Sequence, residues 1–163
     1  MFGFINNKIR QEEKKNLLQN YHGEGIMSAD GRLAFMIDQD KKVFLVFDEN
    51  NKVHEYKKDD IINVSIEEIN EKGYRRGLFS TLLWYKIGKL FDEEGGLQRV
   101  IVEHVTEEEI VTIQKLIIRV ILKDLYRPYY DFIVYEKGLL ANKKLAFELA
   151  VRWYSLINVL KHY

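Results

Sequence analysis

The chain has 163 residues, 47% of them hydrophobic and 13% aromatic, with a single proline; this is enough for one domain to bury a core without staples and too apolar for a disordered chain. Lysine plus arginine and aspartate plus glutamate each number 25, so no global field favours nucleic acid or imitates it. The absence of cysteine excludes disulfides, thiolate zinc sites and cysteine nucleophiles and fits a reducing cytoplasm, while no run approaches the ~18 apolar residues of a membrane span.

The N-terminal Met1-Phe2-Gly3-Phe4-Ile5 turns polar without a signal-peptide apolar region. Residues 4–20 predict a short polar helix, with Phe2, Ile5 and Ile9 on one side and Leu17 and Leu18 near its end. Its middle, Gln11 to Asn16, is wholly polar, so the helix is expected to rest on the domain by its ends only. Gly23 and Gly25 break it, which divides the chain into an extension over residues 1–24 and one domain over 25–163.

From Leu33 the apolar period becomes two. Residues 33–37 and 43–47 predict a hairpin across Asp38-Gln39-Asp40-Lys41, followed by strands at 53–56 and 61–66 in an antiparallel meander. After an interruption at about 72–96, further strands are expected at 99–105, 113–122 and 131–135, seven in all. Leu145, Leu149, Trp153, Leu156 and Leu160 then recur at helical spacing, predicting a long C-terminal helix that covers one face or end of the sheet.

The block Val53 to Ile69, with Tyr56, Asp60-Ile61-Ile62-Asn63-Val64 and Glu67-Glu68, resembles the fourth-strand region of small bacterial and prophage pleckstrin-homology-like domains. Pro128 before the last strand and a helix over Leu139 to Tyr163 continue the resemblance, which covers roughly residues 25–160 as a pattern of hydrophobic positions. It implies an α+β fold, a seven-stranded antiparallel PH-like or GRAM-like sheet or barrel with an inserted amphipathic helix and a long C-terminal helix. Such folds act mainly as recognition modules for proteins or lipid headgroups.

The chain departs from that pattern where the family carries a glycine-rich insertion. Residues 75–91 instead predict an amphipathic helix, with Leu78, Phe79, Leu82, Leu83, Ile87, Leu90 and Phe91 along one stripe. The interval from Lys72 to Phe91 holds five basic residues and no acidic one. Such a stripe serves either as core against the sheet or as a docking helix for a partner groove or an anionic membrane. Core packing least explains Trp84, Tyr85, Arg75 and Arg76; these, with Phe79, Lys86 and Lys89, are the candidate partner-binding residues. Tyr126-Arg127-Pro128-Tyr129-Tyr130 forms a second candidate, because tyrosine and arginine dominate interface hot spots; the alternative is a strand-leading turn whose tyrosines pack edge-on.

No constellation for catalysis emerges. His22, His54, His104 and His162 are dispersed, and Glu103-His104 with Glu107, Glu108 and Glu109 reads as a solvated turn without the alternation of a calcium loop. Asp38 and Asp40 suit a hairpin turn, and Asp131 with Glu136 and Lys137 lacks nuclease spacing. Glycine-rich phosphate loops and nucleophile elbows are absent. The expectation is a cytoplasmic, non-catalytic protein-binding module without cofactor or metal. The resemblance makes it a phage or prophage product, such as an inhibitor of a host-defence protein like a CRISPR nuclease. Peripheral binding of anionic lipid through residues 72–91 is the alternative, nucleic acid is disfavoured, and the oligomeric state is open.

Overall fold

The computed structural model describes residues 2–70, 75–77, 113–139 and 142–163. Helix α1 spans Phe2–Leu18 and α2 spans Lys143–Lys161. Strands β1 (Glu24–Met27), β2 (Ala34–Asp38), β3 (Val43–Phe47) and β4 (Val53–Lys57) form one antiparallel sheet in that order. Strands β5 (Ile61–Asn70), β6 (Arg75–Gly77), β7 (Ile113–Leu122) and β8 (Tyr129–Glu136) form a second, ordered β6-β5-β7-β8. The fold is thus α+β and antiparallel.

The strands do not run as one meander, because β4 and β5 belong to different sheets. A short 3-10 turn at Lys58–Asp60 separates them, with the Asp60 carboxylate accepting from the Lys57 amide at 2.8 Å. That turn redirects the chain, and among the described residues no ladder closes the two sheets into a barrel.

The expected hairpin forms, with Asp38 accepting from the amides of Asp40 and Lys41 at 3.0 Å each. Its strands are apolar on both sides because both sides are covered. Phe35, Ile37, Phe44 and Val46 enter the main core with Tyr56, Ile66, Ile118, Val120 and Phe132 of the other strands. The rings of Phe35 and Phe132 lie 4.3 Å apart, centroid to centroid, one from each sheet. The alternate residues Ala34, Met36, Val43, Leu45 and Phe47 form a smaller cluster covered by Leu17, Leu18 and Met27.

Helix α2 closes the main core from the side of β5, β7 and β8. Asn142 caps it by accepting from the Leu145 amide at 3.2 Å. Its buried face is Ala146, Phe147, Ala150, Val151, Trp153, Tyr154, Ile157 and Leu160. The leucine stripe therefore marks this face only in part, since Leu145 is exposed and Leu149 and Leu156 lie at its margin. Ala146 and Ala150 are among the buried residues of that face, which the leucine stripe does not mark.

Helix α1 docks by its polar side, contrary to expectation. Asn7 and Gln11 donate to the Ala29 carbonyl, Arg10 donates from Nε to the Asp30 carbonyl, and Lys14 donates from Nζ to Asn51 Oδ1. Ile5 and Ile9 face outward instead. Gly31 makes this approach feasible: its φ is +71°, and a Cβ there would lie 2.9 Å from Arg10 Cβ and 3.0 Å from the Gln11 nitrogen. Strand β1 was not anticipated, because Gly23 and Gly25 read as a helix break. Gly23 carries φ +149° and sits so near β2 that a Cβ would meet the Ile37 carbonyl oxygen at 2.3 Å.

Arg75 and Arg76 do not begin a helix. They lie in β6, where Arg75 pairs with Ile69 and Arg76 with Glu68 of β5, so backbone pairing to a long neighbouring strand overrides the helical period. The expected strand at 99–105 and residues 78–91 of the expected helix fall outside the described residues.

Candidate functional site: the loop between the last two strands

Residues 123–128 connect β7 to β8 at one end of the sheets. The loop is built on Asp124, whose Oδ1 accepts from the amides of Tyr126 and Arg127 at 2.9 and 3.2 Å. These bonds, the Arg127 amide first, hold the Asp124 carboxyl below the usual carboxylate range. The Leu122 amide donates to the Pro128 carbonyl at 2.8 Å, and the Lys123 amide to the Asp60 carbonyl at 2.8 Å. Asp124 Oδ2 accepts from the Tyr56 hydroxyl at 3.0 Å, which ties the loop to the other sheet.

Beneath the loop lies a buried polar cluster. The hydroxyls of Tyr56 and Tyr130 stand 3.0 Å apart, and burial pushes both phenols above their ordinary range. Next to them the turn between β3 and β4 is organised by Asp48, which is buried. Its Oδ1 accepts from the amides of Asn50 and Lys52 at 2.9 and 3.0 Å, and its Oδ2 meets His54 Nε2 at 2.8 Å. Burial alone would push the Asp48 carboxyl up, but these hydrogen bonds outweigh it and the carboxyl sits below its ordinary range. Arg127 bridges the two loops, donating to Glu49 at 3.0 Å with its guanidinium 5.5 Å from the centre of the Tyr130 ring.

The outcome of this bracing is the display of two large apolar side chains. Leu125 is 99% exposed and Tyr126 is 97% exposed. Burying side chains of this size stabilises a complex by roughly 1.5–3 kcal/mol each, and a loop already fixed by hydrogen bonds loses little entropy on binding.

The expected tyrosine segment therefore divides. Tyr126 points to solvent, and Tyr129 is half-exposed beneath the Arg119 guanidinium, which lies 4.5 Å from its ring centre. Arg119 is itself held in a two-pronged ion pair with Asp131 at 2.7 and 2.9 Å. Tyr130 is core, 3% exposed, because it shares the inward face of β8 with Phe132 and Val134, so its assignment as a contact residue is corrected. Arg127 is a brace between loops. Leu125 is not among the residues the sequence singles out, since a lone apolar residue in a turn is ordinary on a protein surface.

Arg75 and Arg76 lie on β6, away in sequence from this loop, and the other insertion candidates Phe79, Trp84, Tyr85, Lys86 and Lys89 fall outside the described residues. Among the described residues no group of three histidine, aspartate or glutamate side chains is placed to hold a metal ion, and no helix is long and apolar enough to cross a membrane. No protein-family model matches the chain, and no curated protein or solved structure is significantly similar to it.

Proposed function

We propose that this protein is a non-catalytic, cytoplasmic protein-binding module of PH-like character whose contact surface centres on the loop at residues 123–128. The observation that carries the reading is the near-complete exposure of Leu125 and Tyr126 on a loop tied down by Asp124, Pro128 and Arg127. A protein is the favoured partner because charges of both signs surround the apolar pair: Lys123 and Arg127 against Glu49 and Asp124. An anionic membrane would instead favour a uniformly basic surround. Tyrosine flanked by arginine is also the composition of interface hot spots.

The resemblance to prophage PH-like domains extends the proposal to inhibition of a host-defence protein, with a CRISPR nuclease as the specific case. The test is affinity capture from bacterial lysate, comparing the native chain with a Leu125→Ser/Tyr126→Ala variant. A partner retained by the native chain and lost by the variant supports the proposal. Equal retention by both, or co-sedimentation with anionic vesicles in place of a protein, overturns it. A nuclease assay with the purified chain decides the inhibitor case: cleavage at an undiminished rate removes it.

A further inference from the structure

Helix α1 is seated with its sides reversed. Ile5 and Ile9 are half-exposed, while Asn7, Arg10, Gln11 and Lys14 face the domain. Two features of that seat oppose docking. Lys14 is 1% exposed, and a buried ammonium gives up hydration that its partners only partly replace. Asn7 Nδ2 donates to the Ala29 carbonyl at 3.1 Å, which leaves its buried Oδ1 without a hydrogen-bond partner among the described residues, a further cost of the docked state. The far end of the helix, by contrast, is held by apolar contact, through Leu17 and Leu18 against the smaller core cluster. The turns ahead of Leu17 are therefore a unit of low stability, hinged at that end.

The seat is shared with the loop at 123–128. Lys14 Nζ donates to Asn51 Oδ1, and Asn51 Nδ2 donates to Glu13 at 3.2 Å, so one side chain pins the turn between β3 and β4 to α1. Asn51 holds a left-handed φ of +63°, and its amide closes the turn on the Asp48 carbonyl at 3.0 Å. Two residues earlier, Glu49 accepts from Arg127 of the loop at 3.0 Å. Lys14 bonds to Asn51 and leaves that Glu49 oxygen to Arg127, while the charges of Asp48 and Glu49 attract both cations.

A buried route runs parallel to this one. Asp48 holds His54 at 2.8 Å, the His54 ring lies 6.5 Å from that of Tyr130, the Tyr130 hydroxyl meets Tyr56, and Tyr56 donates to Asp124 at the root of the loop. The same turn thus receives α1 on Asn51 and braces the loop through Glu49 and Asp48.

We propose that α1 is a hinged strap whose docking sets the order of the 123–128 loop through the turn between β3 and β4, so that lifting the strap loosens the loop and weakens its hold on a partner. The step from loop order to partner affinity rests on the loop being the contact surface; the coupling itself does not.

The test is amide hydrogen exchange of the isotope-labelled full chain by NMR. Gly31→Ala lifts the strap from a position outside both the turn and the loop, since the added Cβ meets Arg10 and the Gln11 backbone. Arg10→Ala lifts it without backbone strain, by removing the contact to the Asp30 carbonyl. Both variants speed exchange in α1 and, by about two- to thirtyfold, at the amides of Asn51, Tyr126 and Arg127, whereas the β5–β7 ladder keeps its protection. Combining Gly31→Ala with Glu49→Ala shrinks the response at Tyr126 and Arg127 and preserves it at Asn51, the non-additivity expected of coupled residues. The proposal is overturned if α1 exchange rises in both variants while Tyr126 and Arg127 stay unchanged, if α1 exchange does not rise in either, or if the ladder loses protection in step with the loop in both. Affinity capture separates the strap from the contact surface. A partner that depends on Leu125 and Tyr126 but is retained in full by Gly31→Ala overturns the strap and leaves the surface standing. Coupled exchange without any such partner removes the surface and leaves the coupling standing.

Discussion

Replacing Asp48 by asparagine tests whether the turn between β3 and β4 is held by charge or only by shape. Asparagine retains an oxygen for the amides of Asn50 and Lys52, so the turn keeps its hydrogen bonds, but the contact to His54 loses its ionic component. Lys14 is buried, its ammonium pushed below the ordinary lysine range by desolvation and supported in part by the Asp48 charge, so the variant also weakens the seat of α1. Loss of a hydrogen bond to a charged group costs about 1.5–3 kcal/mol. At about 2–4 °C per kcal/mol for a chain of this size, the melting temperature at neutral pH should fall by about 3–12 °C.

The pH dependence has a definite sign. The folded carboxyl lies below its ordinary value of 3.8, so its contribution is fully present above that value and is lost as pH falls through the lower, folded one. The gap between native chain and variant should therefore be present above that value and close in acid as the lowered, folded value is passed. Urea denaturation followed by circular dichroism, at each pH where both remain folded, measures it. A gap below about 0.5 kcal/mol at neutral pH, within the range of ordinary surface substitutions, or a gap that persists unchanged in acid, refutes the argument.

Tyr56, Tyr130 and Tyr154 are buried phenols raised above their ordinary value, Tyr154 to about 12. Stability from these groups is present below the unfolded value of 10.0 and is lost as pH rises through the folded values. A tyrosinate absorbance titration should show Tyr56, Tyr130 and Tyr154 ionising only above the ordinary value and together with unfolding; ionisation of these three near the ordinary value in the folded chain counts against this. Gly31→Ala should loosen α1 selectively, because a left-handed φ costs a non-glycine residue about 1–2 kcal/mol and the added Cβ meets Arg10 and the Gln11 backbone. Hydrogen exchange in α1 should accelerate while the β5–β7 ladder keeps its protection, and unchanged exchange in α1 would contradict the docking described above.

Local pattern made the hairpin and the C-terminal helix legible. Asp38 and the alternating residues on either side of it need no distant partner to specify a turn and two strands, and the helical spacing from Leu145 to Leu160 defines a helix by itself. The inward placement of Tyr130 was also legible, since the two-residue period carried back from Phe132 assigns it to the core face. Tyr126 carries the same side chain four residues earlier, outside the strand, where no period applies.

The sequence by itself determined the antiparallel α+β class, the hairpin, the final helix and a tyrosine-bearing loop before the last strand, all through interactions within a few residues of one another. Tertiary structure alone decided that the strands divide into two sheets and that α1 docks by its polar side. It also made a solvent-exposed tip of Leu125 and Tyr126, and gathered Asn7, Arg32 and Lys115 around one cleft. Those outcomes depend on carbonyls, carboxylates and apolar faces far apart in the chain. A side chain's neighbours across such separations are set by packing and sheet register, which leave no local period to read.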